Sequence, residues 1–146
     1  MHVVHFTYPA TDPLEYFGAA GARFLPIADG QGDTHVSCLH LDMGGRIEAP
    51  PTSHATLILI VHGRVTIQIM DIGVGINFFA GMGAVLSQNE PYTLKADTAA
   101  ILLLVESEQL TAHIRAISTP QRIEGATWPS DSYFAAWGPI YDKLVF

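Results

Sequence analysis

Apolar residues recur along the middle of this chain in short stretches, and in several of them apolar and polar residues alternate. The clearest example lies in the stretch 64–71, where Val65, Ile67 and Ile69 alternate with polar neighbours. A period of two residues is typical of a strand with one buried face. Gly, Pro, Asn and Asp separate such stretches roughly every eight to twelve residues, as in an all-β sandwich or barrel. The predicted strands are 35–43, 56–61, 64–71, 76–79, 83–86, 92–96 and 99–106.

Glycines between these stretches predict how the strands connect. His62-Gly63 predicts a tight turn, so the strands 56–61 and 64–71 are expected to pair as a hairpin. Gly44-Gly45 predicts a turn that ends the strand before it.

The two ends of the chain differ from its middle. Asp12-Pro13 is typical of a helix start, which predicts a helical turn over 14–17. Both tryptophans lie after residue 119 among several prolines, and so many aromatic residues need a surface to pack on. Wrapping of a barrel or a partner subunit is favoured over a platform that stacks a ligand. The predicted organisation is an N-terminal arm at 1–34, a barrel core at 35–110 and a C-terminal extension at 111–146.

The composition restricts the class of protein. The chain has 146 residues, of which 49% are hydrophobic and 14% charged, and its net charge is -7. The seven Lys and Arg residues form no cluster, which argues against nucleic acid and against an anionic membrane surface as partners. A single globular domain with so little charge is expected to cover apolar surface in an oligomer, and we expect a homodimer.

The single cysteine and the apolar runs indicate the cellular compartment. Cys38 has no partner for an intramolecular disulfide, and its strand-like surroundings predict a small buried hydrophobic residue. The N-terminus lacks the basic and apolar regions of a signal peptide. The apolar runs 57–61 and 99–105 are far shorter than the about 20 residues of a membrane span. We therefore expect a cytoplasmic protein.

Two segments resemble the paired sequence motifs of the cupin superfamily. The first is GGRIEAPPTSHATLILIVHG, Gly44–Gly63, and the second is GMGAVLSQNEPYTLKA, Gly81–Ala96. The resemblance covers about residues 35–106. It implies an all-β fold: one cupin-type, RmlC-like β-barrel (a double-stranded β-helix or jelly roll). A short N-terminal helical turn and an aromatic C-terminal tail would flank the barrel.

The metal ligands of the cupin pattern are largely missing. The resemblance implies that the ligand positions of the first cupin motif correspond to Pro50, Thr52 and Thr56 in this chain. The histidine position of the second motif corresponds to Tyr92. His54 is out of register by two residues. Because strand side chains alternate, the His54 side chain would point to the same face as those of Thr52 and Thr56, and the resemblance implies that this face lines the barrel interior. Since a transition metal needs at least three converging ligands, we expect no tightly held metal cofactor.

Other histidines offer a less favoured route to a metal ion. His35, His40 and Glu48 precede or lie within the first motif. His35 and His40 are five residues apart, so a regular strand would direct them to opposite faces. These histidines are therefore expected to be hydrogen-bonded or hydrated at strand ends and loops, with a metal ion as the open alternative.

His54 and Tyr92 also fit an acid–base pair. A histidine with a near-neutral pKa abstracts a proton, and a phenol returns one on the opposite face of a substrate. This scheme resembles that of metal-independent sugar epimerases of the cupin superfamily, in which an aspartate orients the histidine. No such aspartate is identifiable here, because Asp42, Asp71 and Asp97 all look like turn residues.

The expected function is therefore the binding of a small organic ligand in the barrel pocket. Glu106 either bonds this ligand or marks where its strand meets solvent. An enzyme is the first alternative: a metal-independent isomerase or epimerase, or a metal-dependent oxygenase with a rebuilt ligand set. A structural or regulatory module that docks a partner protein is the second. The predicted pocket residues are Thr52, His54, Thr56, Tyr92 and Glu106, with His54 and Tyr92 as the catalytic candidates.

Overall fold

The computed structural model describes residues 1–15, 18–69 and 74–110. The predicted C-terminal extension at 111–146 therefore lies outside the described residues. Within those residues no helix has the length and hydropathy needed to cross a bilayer. One 3-10 turn, Tyr8–Ala10, precedes the strands β1 Asp12–Pro13, β2 Ala20–Gly30, β3 Thr34–Ala49, β4 Ala55–His62, β5 Arg64–Ile69, β6 Val74–Phe79, β7 Gly83–Leu86, β8 Tyr92–Ala96 and β9 Ala100–Ser107.

The long strand β3 connects the two layers of a barrel. Its residues 35–41 pair with β9, whereas its residues 46–49 pair with β8. The antiparallel strands follow the order β6-β5-β8-β3-β9-β4-β7, with β2 also beside β3 and β1 beside β2. The predicted all-β jelly-roll barrel is therefore confirmed.

The core lies between the two layers and is built from alternate residues of each strand. Val65 and Ile67 of β5 are buried, which confirms the alternation predicted for this strand. On β9, Leu102 and Leu104 are buried in the same way. A residue in register with one of these on a neighbouring strand points to the same face. The strand register therefore identifies the positions that face the interior.

The predicted hairpin around Gly63 is wrong. β4 pairs with β7 and β9, whereas β5 pairs with β6 and β8. The chain turns at Gly63 with a φ of 83° and passes from one layer to the other. A Cβ at this position would lie 2.2 Å from the carbonyl oxygen of Ala99. Alternation predicted the buried face of β5 correctly, but it does not determine the partner strand.

The predicted turn at Gly44-Gly45 is wrong, because both residues lie inside β3, which continues to Ala49. A Cβ at Gly45 would lie 2.5 Å from the carbonyl oxygen of Gly21 on β2. Gly45 therefore allows the close approach of β2 and β3, whereas Gly44 has open space around it, and neither glycine ends the strand.

The N-terminal helical turn is present, but it lies at Tyr8–Ala10, earlier than the predicted 14–17. Of the predicted range, residues 16 and 17 lie outside the described residues, and residues 14 and 15 are not helical. Asp12-Pro13 forms β1 and pairs with β2. The Arg23 guanidinium donates to the hydroxyl of Thr11 at 2.9 Å and to its carbonyl oxygen. These bonds hold the segment extended where local propensity favoured a helix start.

The N-terminal arm covers the outer face of β3. Cys38 is fully buried there, and the Nε2 atom of His40 lies 2.8 Å from the carbonyl oxygen of Phe6. His35 is in register with Glu106 of β9, on the face that carries Leu39 into the core. His35 and His40 therefore lie on opposite faces, as predicted.

Candidate functional site

A buried tyrosine lies at one end of the barrel interior. Tyr92 begins β8, and its hydroxyl shares a hydrogen bond with the buried Thr56 of β4 in the other layer. Burial raises the pKa of the Tyr92 phenol, the nearby Glu106 carboxylate raises it further, and the Thr56 bond lowers it only in part. Tyr92 is therefore neutral near pH 7 and can both donate and accept a hydrogen bond.

Glu106 belongs to the same interior surface. It lies opposite Thr56 of β4 on one side and opposite His35 of β3 on the other. Leu104, two residues earlier on β9, is buried in the core. Glu106 therefore continues the interior row of β9 to the end of the barrel, where its side chain is half-buried.

Two histidines and two aspartates form a cluster at the rim of this end, which we call the rim cluster: Asp29, Asp33, His35 and His54. The Asp33 carboxylate lies 2.9 Å from His35 Nε2 through Oδ1 and 2.7 Å from His54 Nε2 through Oδ2. His35 Nδ1 lies 2.7 Å from Asp29 Oδ1. The two imidazoles meet edge to face, with centroids 6.1 Å apart. One carboxylate therefore joins a histidine at the start of β3 to a histidine in the turn before β4.

His35 is held between two carboxylates. A neutral imidazole has a single N–H and can donate to only one of them, so this arrangement favours the cation. The pKa of His35 is raised, first by its hydrogen bond with Asp29 and second by its hydrogen bond with Asp33. The pKa of the Asp33 carboxyl is lowered, first by its hydrogen bond with His35 and second by its hydrogen bond with His54. Since these groups are exposed and screened by water, the contacts orient the side chains more than they stabilise the fold.

The turn between β2 and β3 positions Asp33. Its φ of 60° lies in the left-handed region, which aspartate adopts more readily than most residues. The hydroxyl of Thr34 donates to the carbonyl oxygen of Gln31 at 2.9 Å and lies 3.0 Å from the hydroxyl of Ser107. These contacts fix the turn against the end of β9.

The structure brings together three of the predicted pocket residues and places the other two in the turn before β4. That turn contains Thr52 and His54, whose backbone N–H donates to the Thr52 hydroxyl at 3.3 Å. The His54 side chain is 20% exposed. Its ring bonds to Asp33, and no hydrogen bond joins it to Tyr92 among the described residues. The residues that meet in the interior are Thr56, Tyr92 and Glu106.

Asp33 is the functional candidate that the sequence reasoning missed. It lies 21 residues before His54, outside both cupin-like motifs. A usable signal was present, since Asp33 stands two residues before His35 at the start of a predicted strand. Of the aspartates considered instead, Asp97 bonds to Thr66, and Asp71 lies outside the described residues.

The positions at which the cupin pattern carries metal ligands do not fit a metal ion in this chain. Pro50 offers no ligand atom on its side chain, and the Thr52 hydroxyl bonds to the backbone of the turn. Thr56 and Tyr92 are neutral and share a hydrogen bond. Transition metals bind deprotonated thiolates, carboxylates or neutral imidazoles. These four positions therefore present neutral groups where a metal centre would need ionised ones.

A cavity of about 520 Å³ lies apart from this polar end, beneath the N-terminal arm. It is lined by residues 4–8 of the arm, 40–42 of β3, His62 of β4 and 99–101 near the start of β9. None of the predicted pocket residues lines this cavity.

Comparison with solved structures gives the same architecture. The cupin domain of Cnp3 from Schizosaccharomyces pombe superposes with a TM-score of 0.58 at 11% identity, over 74% of this chain and 76% of that chain. An RmlC-like cupin from Shewanella frigidimarina gives a TM-score of 0.55 at 15% identity, over 68% and 95%. The chain therefore has the RmlC-like cupin fold.

The polyketide cyclase RemF from Streptomyces resistomycificus also has a similar fold. Its TM-score is 0.65 at 17% identity, with 99% of this chain and 98% of that chain covered. No protein-family model and no curated protein matches the sequence. At these identities the likeness extends to the fold alone.

Proposed function

We propose that this protein binds a small organic ligand at the Tyr92 end of the barrel. The observation that carries the proposal is the convergence of Thr56, Tyr92 and Glu106 on one interior face. Small-molecule sites combine apolar walls with a few placed polar groups, and the mouths of β-barrels are common places for them. Thr52 and His54 would extend the contacts at the mouth.

The polar groups favour a neutral ligand that carries hydroxyl groups. An ionised Glu106 accepts hydrogen bonds, and the hydroxyls of Tyr92 and Thr56 both donate and accept. Asp29 and Asp33 add negative charge at the rim, and the net charge of -7 disfavours an anion. The similarity in fold to a polyketide cyclase makes polyketide-like molecules a reasonable part of the first panel, beside neutral sugars.

We further propose that this ligand binds without a tightly held transition metal. The support is chemical: the positions equivalent to the cupin metal ligands carry Pro50, Thr52, Thr56 and Tyr92, which are poor ligands. Binding is therefore expected to persist in a buffer that contains EDTA.

Calorimetric titration of the untagged chain in EDTA, guided by a thermal-shift panel, tests the proposal. Tyr92→Phe and Thr56→Val each remove one buried hydroxyl, and each is expected to raise the Kd of a bound hydroxylated ligand about tenfold. Thr93→Val is the matched control, because Thr93 lies between the buried Tyr92 and Leu94 and faces outward. It should leave the Kd unchanged.

Three results would contradict the proposal. Unchanged affinity in both interior variants would remove the Tyr92 end as the site. A preference for acids over matched neutral compounds would contradict the ligand class. Binding that requires added metal would contradict the metal-independent part.

The contact between His54 and Asp33 favours a second candidate function, an acid–base isomerase or epimerase. At 2.7 Å, Asp33 would orient His54 as a base, and the neutral Tyr92 would act as the acid. NMR in deuterated water separates the two functions by measuring exchange of carbon-bound protons in the ligand. The enzyme requires exchange that His54→Ala abolishes; simple binding predicts no exchange and only a weaker affinity in that variant.

A further inference from the structure

We propose that Asp33, His35 and His54 bind a divalent transition-metal ion at the rim of the barrel. One ligand atom from each of the three side chains lies within 4.8 Å of the other two, and both histidines face the Asp33 carboxylate through Nε2. The three side chains come from the β2–β3 turn, the start of β3 and the turn before β4. A single ion can therefore contact all three.

The ligand set is chemically suitable for such an ion. Two imidazoles and one carboxylate with an open position are found in catalytic zinc sites and in non-haem iron sites. Bonds of about 2.0–2.2 Å at tetrahedral angles place ligand atoms roughly 3.3 Å apart. The contacts of Asp33 with His35 and His54, at 2.9 and 2.7 Å, already lie within that spacing. Small side-chain rotations would admit the ion in place of the protons that now bridge these groups.

An outer contact supports the assignment independently. The Asp29 carboxylate lies 2.7 Å from Nδ1 of His35, the ring nitrogen that faces away from the other two ligands. Metal-binding histidines usually donate their second nitrogen to a carboxylate in this way, which fixes the orientation of the ring. Asp29 therefore positions the Nε2 atom of His35 for the ion.

The backbone of the β2–β3 turn gives a further reason. Asp33 holds a left-handed conformation, which is uncommon for residues other than glycine and is often found at functional sites. The bonds of Thr34 keep the turn in this form. The carboxylate is thereby held between the two histidines.

The rim site differs from the metal centre implied by the cupin pattern. That pattern places ligands at Pro50, Thr52, Thr56 and Tyr92, and none of these belongs to the rim site. The rim site borders the proposed ligand pocket, because His35 and Glu106 are in register on neighbouring strands. It does not depend on that pocket, since metal binding is measured with no organic ligand present.

Titration of zinc into the untagged, EDTA-stripped full chain tests the site by calorimetry. We expect one ion per chain with a Kd in the micromolar range. His54→Ala should weaken binding about a hundredfold, and Asp33→Asn should do the same while retaining the left-handed turn. Asp29→Asn should weaken binding about 10–100-fold through His35. His62→Ala, at an exposed histidine on β4, is the control and should bind zinc like the wild type.

Equal zinc affinity in wild type and His54→Ala would overturn the proposal, as would the absence of sub-millimolar binding to the wild type. The cluster would then be a set of ion pairs only. Circular dichroism checks the folding of each variant. If a variant does not fold, NMR of the wild type decides: paramagnetic Co²⁺ should broaden the His35 and His54 ring signals first, and uniform broadening of all histidines would contradict the site.

Discussion

At the scale of single residues, the burial of Cys38 beneath the N-terminal arm determines how reactive its thiol is. Burial raises the pKa of its thiol to about 11. Because the thiolate is the nucleophile, its fraction at about pH 8 falls to roughly one in a thousand, against about a quarter for a free cysteine. We expect Ellman's reagent to modify the folded chain at least about a hundredfold more slowly than the chain unfolded in guanidinium chloride.

The rate is also expected to rise about tenfold for each pH unit while the fold persists, because the thiolate fraction does so below the pKa. Circular dichroism at each pH is the control for unfolding. A rate in the folded chain close to that in the unfolded chain would mean that the arm does not cover Cys38.

Tyr92 and His54 differ in how far the sequence predicted their surroundings. The position of Tyr92 follows from its spacing to Gly81 across one short connection, so the sequence resemblance placed it at the start of a strand, where the structure has it. The partner of His54 is Asp33, which is remote in sequence and depends on a left-handed turn. No local pattern specifies such a contact, because it requires β3 and β4 to be placed first.

At the scale of elements, Gly63 allows the chain to cross between the layers. Gly63→Ala would place a Cβ 2.2 Å from the carbonyl oxygen of Ala99, and the left-handed φ adds about 1–2 kcal/mol of strain. Gly81→Ala is the matched control, since Gly81 also has a positive φ but has open space around it. We expect Gly81→Ala to lose only the strain energy and Gly63→Ala to lose clearly more.

Urea denaturation, monitored by circular dichroism, measures the loss in the free energy of unfolding for each of the two variants. Equal losses in the two variants would contradict the close approach of Gly63 to the connection between β8 and β9. A larger loss in Gly81→Ala would contradict it more strongly.

Strand positions were predicted better than strand partners. The strands 83–86 and 92–96 were predicted with the observed bounds, since period-two patterns between turn residues are local. β2 was missed because Gly21 and Pro26 are strand breakers in isolation. In the structure, register shifts between β2 and β3 lie beside both residues and accommodate them. Pairing with β3 thus overrode local propensity.

At the scale of the whole molecule, the outer face near the edge strand β7 is apolar. Leu59, Val61 and Val85 are 38%, 42% and 39% exposed, and only 14% of the chain is charged. Edge strands and apolar faces are common places of association. We expect a homodimer in light scattering coupled to size-exclusion chromatography, and Val61→Lys with Val85→Lys should shift it toward the monomer.

Met43→Lys is the control for the added charge, because Met43 is exposed on β3 and away from β4 and β7. A wild-type monomer at high concentration would contradict the dimer. A dimer that resists the double variant but dissociates with Met43→Lys would place the interface on β3.

The sequence alone determined the fold class, most strand positions and the loss of the cupin metal ligands, because alternation, turn residues and motif spacing are local properties. The tertiary structure alone decided that β4 and β5 do not pair, that Thr56, Tyr92 and Glu106 share one interior face, and that Asp33 meets His35 and His54. These features depend on contacts between distant parts of the chain. Their geometry is set by strand register and by close backbone approaches at a few glycines, which no short segment encodes.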